Sequence, residues 1–122
     1  MAEFQKIEKR YDDPLVLAYH YYTIICKLNN IKVTNLQLKL LAFCAVRGSV
    51  YKPGRREEFM KLTGAPANSV YNLVYQLCKK RLLQKTDNGD VMVLPSICPN
   101  FKDPTLLLSI KMYVSENTEA GS

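Results

Sequence analysis

Apolar positions recur at helical spacing through most of the chain and alternate near its end, which predicts helices followed by short strands. Asp13-Pro14 predicts the start of the first helix, with the acid as N-cap and the proline at the first helical position. The segment that follows, LVLAYHYYTIICKLNN, is apolar on nearly every side, and His20, Thr23 and Lys27 form its one narrow polar stripe. Such a helix must be buried on most of its faces.

Two environments would bury this first helix. It is either a central helix wrapped by the rest of the chain or a subunit interface in a homodimer. In the second case Tyr19, Tyr21 and Tyr22 are the expected aromatic anchors, because a few large aromatic side chains often dominate the energetics of an interface. The sequence leaves both environments open, and the second predicts a homodimer through the N-terminal helix.

The second helix is predicted to begin at Thr34, where Gln37 supplies the partner of a capping box, and to stop at Gly48. Residues 49–51 then predict a short strand, and Pro53-Gly54 predicts a turn into the third helix. That third helix is expected to be short, because a glycine turn follows it closely.

A fourth helix, over about residues 66–81, has the clearest amphipathic pattern. The turn before it, Thr63-Gly64-Ala65-Pro66, offers a glycine to end one helix and a proline to open the next. Apolar side chains repeat at helical spacing and are expected to pack inward at Val70, Leu73, Val74 and Leu77. The side chains expected to face outward are Asn68, Ser69, Asn72, Tyr75, Gln76 and Lys79.

The residues after this helix predict a two-stranded hairpin. Leu82-Leu83 and Val91-Met92-Val93 flank the turn Asp87-Asn88-Gly89-Asp90, and Asn-Gly tolerates the positive φ angles of a tight turn. Beyond the hairpin, three prolines in PSICPNFKDP predict an extended connector. The segment from Leu108 to Val114 alternates, and we favour a strand there over a helix.

These elements predict one domain with extensions at both ends. The domain is expected to cover residues 13–94, preceded by an N-terminal arm over 1–12. Residues 95–114 are predicted to be the connector and a C-terminal strand packed on the domain, and 115–122 to be a flexible tail.

The segment from the third helix to the hairpin resembles the winged helix-turn-helix superfamily of transcription regulators and replication initiators. The positions that match its consensus are Glu58, Phe59, Leu62, Thr63, Gly64, Ser69, Val70, Leu77, Leu82 and Leu83. Two positions depart from it, since Pro66 replaces a capping serine and Arg81 replaces a glycine before the hairpin. The resemblance implies a mainly α fold with a small β-wing (α+β), an extra N-terminal helix, and a fourth helix that docks in DNA.

The placement of charge agrees with a nucleic-acid partner. The chain has 122 residues and a net charge of +6. Residues 14–86 hold twelve lysines and arginines but only two acids, a local charge of +10, and no acid lies between Phe59 and Thr86. Such a basic region attracts polyphosphates.

Double-stranded DNA is therefore the predicted partner. Side-chain amides can read adenine edges, while hydroxyl groups and lysines suit phosphates. The expected contacts are Arg55, Arg56, Asn68, Ser69, Asn72, Tyr75, Gln76, Lys79, Lys80 and Lys85. Arg55 and Arg56 could equally be a solvated surface pair, and Asp87 and Asp90 argue against deep insertion of the hairpin tip.

Other kinds of chemistry find little support in the sequence. The single histidine, His20, lies far from any recognisable nucleophile, so we do not expect an enzyme. The four cysteines are too widely spaced for a zinc site, and we expect no metal, cofactor or small-molecule ligand. Free cysteines, the lack of an apolar signal segment and the lack of a long apolar run predict a cytoplasmic protein without a membrane partner.

Three functions remain open. The first is a small transcriptional regulator that reads a DNA sequence with the fourth helix. The second is a winged-helix component of a phage or mobile-element replication or packaging complex, with affinity from phosphates and weak sequence preference. The third is a winged helix used only for protein–protein contacts, through its aromatic first helix and C-terminal strand.

Overall fold

The computed structural model describes residues 5–115 and contains four α-helices, one two-stranded antiparallel sheet and a short 3-10 helix. The helices and strands are α1 (Pro14–Leu28), α2 (Asn35–Arg47), α3 (Arg55–Thr63), α4 (Ala67–Lys79), β1 (Leu83–Lys85) and β2 (Val91–Val93), and the 3-10 helix covers Pro95–Ile97. The chain is thus mainly helical with a small β-hairpin. The first four residues of the predicted arm and residues 116–122 of the predicted tail lie outside the described range.

Local capping interactions fix the first two helices where the sequence predicted them. The Asp13 carboxylate accepts a hydrogen bond from the Leu15 N–H (2.9 Å) at the start of α1. At the start of α2, the Thr34 hydroxyl accepts from the Gln37 N–H (3.1 Å) and the Gln37 amide oxygen accepts from the Thr34 N–H (2.9 Å). Both predicted helix starts are confirmed. The caps stabilise these starts because they satisfy N–H groups that the helix itself leaves free.

The central helix of the molecule is α2, and it contacts the other three helices and β2. Its buried side chains are Gln37, Leu38 and every residue from Leu40 to Cys44, whereas Lys39 is exposed. Helix α1 packs mainly against α2 and buries one side through Ala18, Tyr22 and Cys26. Apolar side chains on the opposite side of α1 remain exposed at Val16, Ile24 and Leu28.

The hairpin pairs β1 and β2 in antiparallel register, with Leu83 opposite Val93 and Lys85 opposite Val91. Leu83, Val91 and Val93 are buried against the helices. Between the strands, the Gly89 N–H donates to the Thr86 carbonyl (3.1 Å), and Gly89 adopts a φ of 88°. Only the glycine of the Asn-Gly pair takes a positive φ, so the loop is a three-residue turn with glycine in left-handed backbone.

Two predicted strands are wrong. Residues 49–51 form a turn, in which the Ser49 hydroxyl accepts hydrogen bonds from the N–H groups of Tyr51 (3.1 Å) and Val91 (3.0 Å). Residues 105–115 form neither strand nor helix, and all of them are exposed except the half-buried Leu106. Alternation does not make a strand when no neighbouring backbone accepts and donates its hydrogen bonds.

The connector after β2 returns to α1 and covers its aromatic side chains. The Tyr22 hydroxyl donates to the Ile97 carbonyl (2.9 Å), and Phe101 is buried against the rings of Tyr21 and Tyr22 at centroid distances of 5.5 and 5.8 Å. Burial and the neighbouring thiol of Cys98 raise the pKa of the Tyr22 hydroxyl far above its ordinary value. Tyr22 is therefore a core residue rather than a surface anchor.

The four cysteines are free thiols in different environments. Cys26 and Cys44 are buried, whereas Cys78 and Cys98 are half-buried. Burial raises the pKa of the Cys44 thiol to about 12 and also raises the pKa values of the Cys26 and Cys78 thiols. Within residues 5–115, no helix has the length and apolar character that a membrane crossing needs.

Candidate functional site

The turn between α3 and α4 sets the direction of α4. Gly64 ends α3 in left-handed backbone (φ 76°), which glycine adopts without the steric cost of a Cβ atom. Pro66 is the N-cap of α4 rather than its first helical residue, and no side chain caps the helix there. Instead, the Thr63 hydroxyl accepts from the Ala65 N–H (3.2 Å) and donates to the Phe59 carbonyl (2.8 Å). The predicted glycine turn is confirmed, while α4 begins one residue later than predicted.

Helix α4 separates an apolar face from a polar face as predicted. All four predicted inward side chains are buried, and these are Val70, Leu73, Val74 and Leu77. Asn68, Asn72, Tyr75 and Lys79 are exposed, whereas Ser69 and Gln76 are half-buried. The exposed face therefore carries amide and hydroxyl groups along its whole length.

Two of the predicted contact residues on α4 form hydrogen bonds within the protein. The Gln76 amide oxygen accepts a hydrogen bond from the buried Gln37 side chain (2.6 Å), which joins α4 to α2. The Ser69 hydroxyl donates to the Pro66 carbonyl (2.7 Å) in the first turn of α4. Gln76 therefore cannot offer its complete amide to a base, which leaves Asn68 and Asn72 as the exposed amides of this helix.

Two tyrosines on α4 form an exposed aromatic pair, and the sequence prediction included only one of them. Tyr71 and Tyr75 are 57% and 62% exposed and lie one helical turn apart. The Tyr71 ring stacks on the half-buried ring of Tyr51, at a centroid distance of 5.4 Å and an interplanar angle of 28°. Helical spacing from Tyr75 could have identified Tyr71, but its contact with Tyr51 crosses twenty residues and left no local signal.

Arg55 and Arg56 belong to the first turn of α3 and lie beside the two acids of that turn. Arg55 contacts the Glu58 carboxylate (2.9 Å), and Arg56 contacts the Glu57 carboxylate (3.4 Å). Arg47 at the end of α2 also contacts Glu58 (3.4 Å). Arg55 and Arg56 therefore belong to a surface ion-pair cluster in which three arginines share two carboxylates.

Four cations gather where α4 meets the hairpin. The Lys79 ammonium lies 5.7 Å from the centre of the Tyr75 ring, and the Lys80 ammonium donates to the Lys32 carbonyl. Arg81 follows with a φ of 63°, in the left-handed region that favours glycine. In the range 5–115, Lys79, Lys80, Arg81 and Lys85 form no salt bridge. Their charge is therefore available to an anionic partner.

A shallow groove of about 400 Å³ runs along this junction between α4 and the hairpin. Its lining residues are Cys78, Arg81, Leu83, Gln84, Lys85 and Leu94. Because Lys85 and Cys78 both line the groove, the positive charge of the lysine partly offsets the rise that burial causes in the pKa of the Cys78 thiol. The groove thus has an apolar floor and basic sides.

The three tyrosines predicted as a dimer interface do not form one exposed patch. Tyr22 is fully buried, while Tyr19 and Tyr21 are half-buried. The Tyr19 hydroxyl donates to the Asn35 amide oxygen (3.1 Å), and the Tyr21 ring packs on Phe101. A second subunit could reach only the remaining exposed parts of Tyr19 and Tyr21.

Comparisons with known proteins identify no relative of this chain. No model of a known protein family matches the chain, and neither curated proteins nor solved structures show a significant similarity to it. Among the described residues, no three His, Cys, Asp or Glu side chains cluster as a metal site requires.

Proposed function

We propose that this protein is a winged-helix DNA-binding protein, acting as a small transcriptional regulator, that lays α4 in the major groove of DNA. The observation that carries the proposal is the surface formed by α4 and the start of the hairpin. It presents amide and hydroxyl groups next to four cations that have no carboxylate partner in the described range. A surface of this composition suits base edges flanked by phosphates.

The dimensions of α4 support this docking. The helix has 13 residues and is about 20 Å long at the usual helical rise, and the major groove is about 12 Å wide and admits a helix. Asn68 and Asn72 lie one turn apart on the exposed face, where each amide can donate and accept at one adenine. Buried contacts with α2 hold the opposite face, so the two amides are presented by a rigid element.

The cations beside α4 supply the proposed phosphate contacts. Lys79, Arg81 and Lys85 lie at the base of the hairpin, while its tip carries the acids Asp87 and Asp90. Acids at the tip repel phosphates, so the base of the hairpin contacts the DNA backbone and the tip points away from it. The proposal therefore places the DNA against α4 and the groove rather than under the tip.

The test is fluorescence anisotropy with random-sequence duplex DNA across a salt series, using a triple variant with Lys79→Gln, Arg81→Gln and Lys85→Gln. Loss of three phosphate contacts is expected to make the slope of log affinity against log salt shallower by about 2 to 3. Glutamine retains much of the side-chain length, so the loss reports charge rather than packing.

The matched control changes three cations outside the site to glutamine, at Lys27, Lys102 and Lys111, and has the same net charge. It is expected to keep the slope of the unmodified protein. Equal losses in both variants would show that only overall charge matters, and no binding at low salt would exclude DNA as the partner.

The alternative function is that of a component of a replication or packaging complex. Such a protein would bind DNA through the same surface but with a weaker preference for sequence. Selection of preferred sites from random duplexes distinguishes the two roles. A regulator is expected to enrich one site and to lose that preference on Asn72→Ala, while a packaging component would enrich none.

A specific observation also favours the role in protein contacts. An apolar groove of about 300 Å³ lies between α1, α2 and α3, and exposed Val16 and Leu62 stand at its edge. If the triple glutamine variant retains full function while polar substitutions of Val16 and Leu62 abolish it, this role replaces DNA binding.

A further inference from the structure

The exposed tyrosines of α4 offer aromatic ring faces, which recognition of duplex DNA does not use. In a duplex, the faces of the bases are covered by their neighbours in the stack, so a protein reaches only their edges. Tyr71 and Tyr75 instead offer ring faces, and both remain more than half exposed. Ring faces of this kind bind the faces of unpaired bases.

The Tyr71 ring already stacks on another aromatic ring of the protein. Tyr51 covers one of its faces, at a centroid distance of 5.4 Å, and Tyr51 itself is half-buried in the turn after α2. Since Tyr71 is still 57% exposed, its opposite face and edge are open to solvent. A base stacked on that open face would extend a stack that already exists, with little further loss of side-chain freedom.

The Tyr75 ring is paired with a cation. The Lys79 ammonium lies over one face of this ring, 5.7 Å from its centroid, so a base would stack on the opposite face. A base stacked on Tyr75 brings its own phosphate within reach of that ammonium, because ring and charge are adjacent. Aromatic platforms next to basic side chains are the common arrangement in proteins that bind single strands.

The positions of the two tyrosines along α4 also suit an unstacked strand. The Cβ atoms of residues at positions i and i+4 of a helix lie about 6 Å apart, whereas stacked bases in a duplex are about 3.4 Å apart. Two bases that rest on Tyr71 and Tyr75 must therefore be separated from each other, as in an extended single strand.

We propose that α4 also binds unpaired bases of a nucleic-acid strand, by stacking one base on Tyr71 and a second on Tyr75. This inference rests on the proposed function, since it uses the same helix and the same cations. The asparagines read paired DNA and the tyrosines hold an opened strand, so the protein favours sites where a duplex is locally unpaired.

The test compares strands that have the same phosphates but differ in their bases. Anisotropy is measured with labelled strands of about twelve thymidines, which is within the usual range of single-strand sites, and with an abasic strand of equal length. The full chain is expected to bind the thymidine strand about a hundredfold more tightly than the abasic strand, at about tenfold for each stacked base. A uridine strand distinguishes DNA from RNA as the source of the bases.

Two double variants assign the preference to the rings. Tyr71→Ala with Tyr75→Ala is expected to remove the preference for bases, whereas Tyr71→Phe with Tyr75→Phe is expected to keep it, because the stacking face remains. The control is Tyr113→Ala, which removes an exposed tyrosine from the C-terminal segment. Circular dichroism verifies that each variant is folded.

Failure of this inference is distinct from failure of the proposed function. Equal affinity for the thymidine and abasic strands, or an alanine variant that keeps the preference, would overturn the stacking role. If duplex binding with a steep salt dependence remains in that case, DNA binding stands without base stacking. If the protein binds none of the strands and no duplex, both proposals fail.

Discussion

The backbone conformation of Arg81 lowers the stability of the protein, whereas its side chain is available for binding. Its φ of 63° places a residue with a Cβ atom in left-handed backbone, which costs stability relative to glycine. Its exposed side chain belongs to a residue that lines the groove between α4 and the hairpin. A charged residue in this conformation is consistent with a position kept for binding at some expense of stability.

The first residue-scale prediction is that Arg81→Gly stabilises the protein and weakens its binding to duplex DNA. Relief of the left-handed strain is expected to raise the free energy of unfolding by about 1 kcal/mol. Urea unfolding followed by circular dichroism measures this change, and anisotropy measures the weaker binding.

The control is Asn30→Gly, at the other described non-glycine residue with positive φ (57°). Asparagine tolerates this conformation better, so a smaller gain in stability and unchanged binding are expected. If Arg81→Gly lowers stability, Arg81 is not a strained residue.

Some residue roles could not be predicted because they depend on partners distant in the sequence. Gln76 and Lys80 appear free on a helical projection, yet they bond to Gln37 and to the Lys32 carbonyl. Tyr22 looks like an interface anchor until the connector places the Ile97 carbonyl against its hydroxyl. Helical periodicity indicates which side a residue faces, but it does not indicate what lies there.

Element boundaries were predictable where a short-range interaction determines them. The capping box of Thr34 and Gln37, the glycine at 64 and the glycine at 89 each act within a few residues, and all three are confirmed. The failed strands depend on pairing across the fold instead. Ser49 illustrates the difference, because one hydroxyl oxygen takes the place of a strand and accepts the Val91 N–H.

At the scale of elements, Ser49→Ala is expected to loosen the hairpin from α2. The substitution leaves the buried N–H of Val91 without an acceptor, which costs about 1 to 3 kcal/mol. Amide hydrogen exchange measured by NMR is expected to show faster exchange at Val91 and its neighbours in β2.

Ser96→Ala is a suitable comparison, since Ser96 is exposed in the 3-10 helix beyond β2. It is expected to leave exchange in the hairpin unchanged. Unaltered protection of Val91 in the Ser49 variant would mean that another group satisfies this N–H.

Across the whole molecule, the cluster of unpaired cations is local, whereas exposed apolar surface is spread over several elements. Four cations without an acidic partner in the described range lie at the end of α4 and the start of the hairpin, while exposed apolar side chains lie on α1, α3, α4 and β2 and in the C-terminal segment. The sequence predicted the basic region from composition, because charge totals do not depend on the fold. It predicted a packed C-terminal strand wrongly, because Leu107 and Val114 have no described partner surface and remain 89% exposed.

Chemical labelling of the four thiols can report the order in which the parts of the protein unfold. Each lies in a different place, with Cys26 in α1, Cys44 in α2, Cys78 in α4 and Cys98 in the connector. In a maleimide time course followed by mass spectrometry, Cys78 and Cys98 are expected to react first, and Cys44, whose pKa is about 12, only upon global unfolding. Faster labelling of Cys26 than of Cys44 would identify α1 as the element that detaches first. Native Cys44 that reacts as fast as Cys98 would contradict the central position of α2.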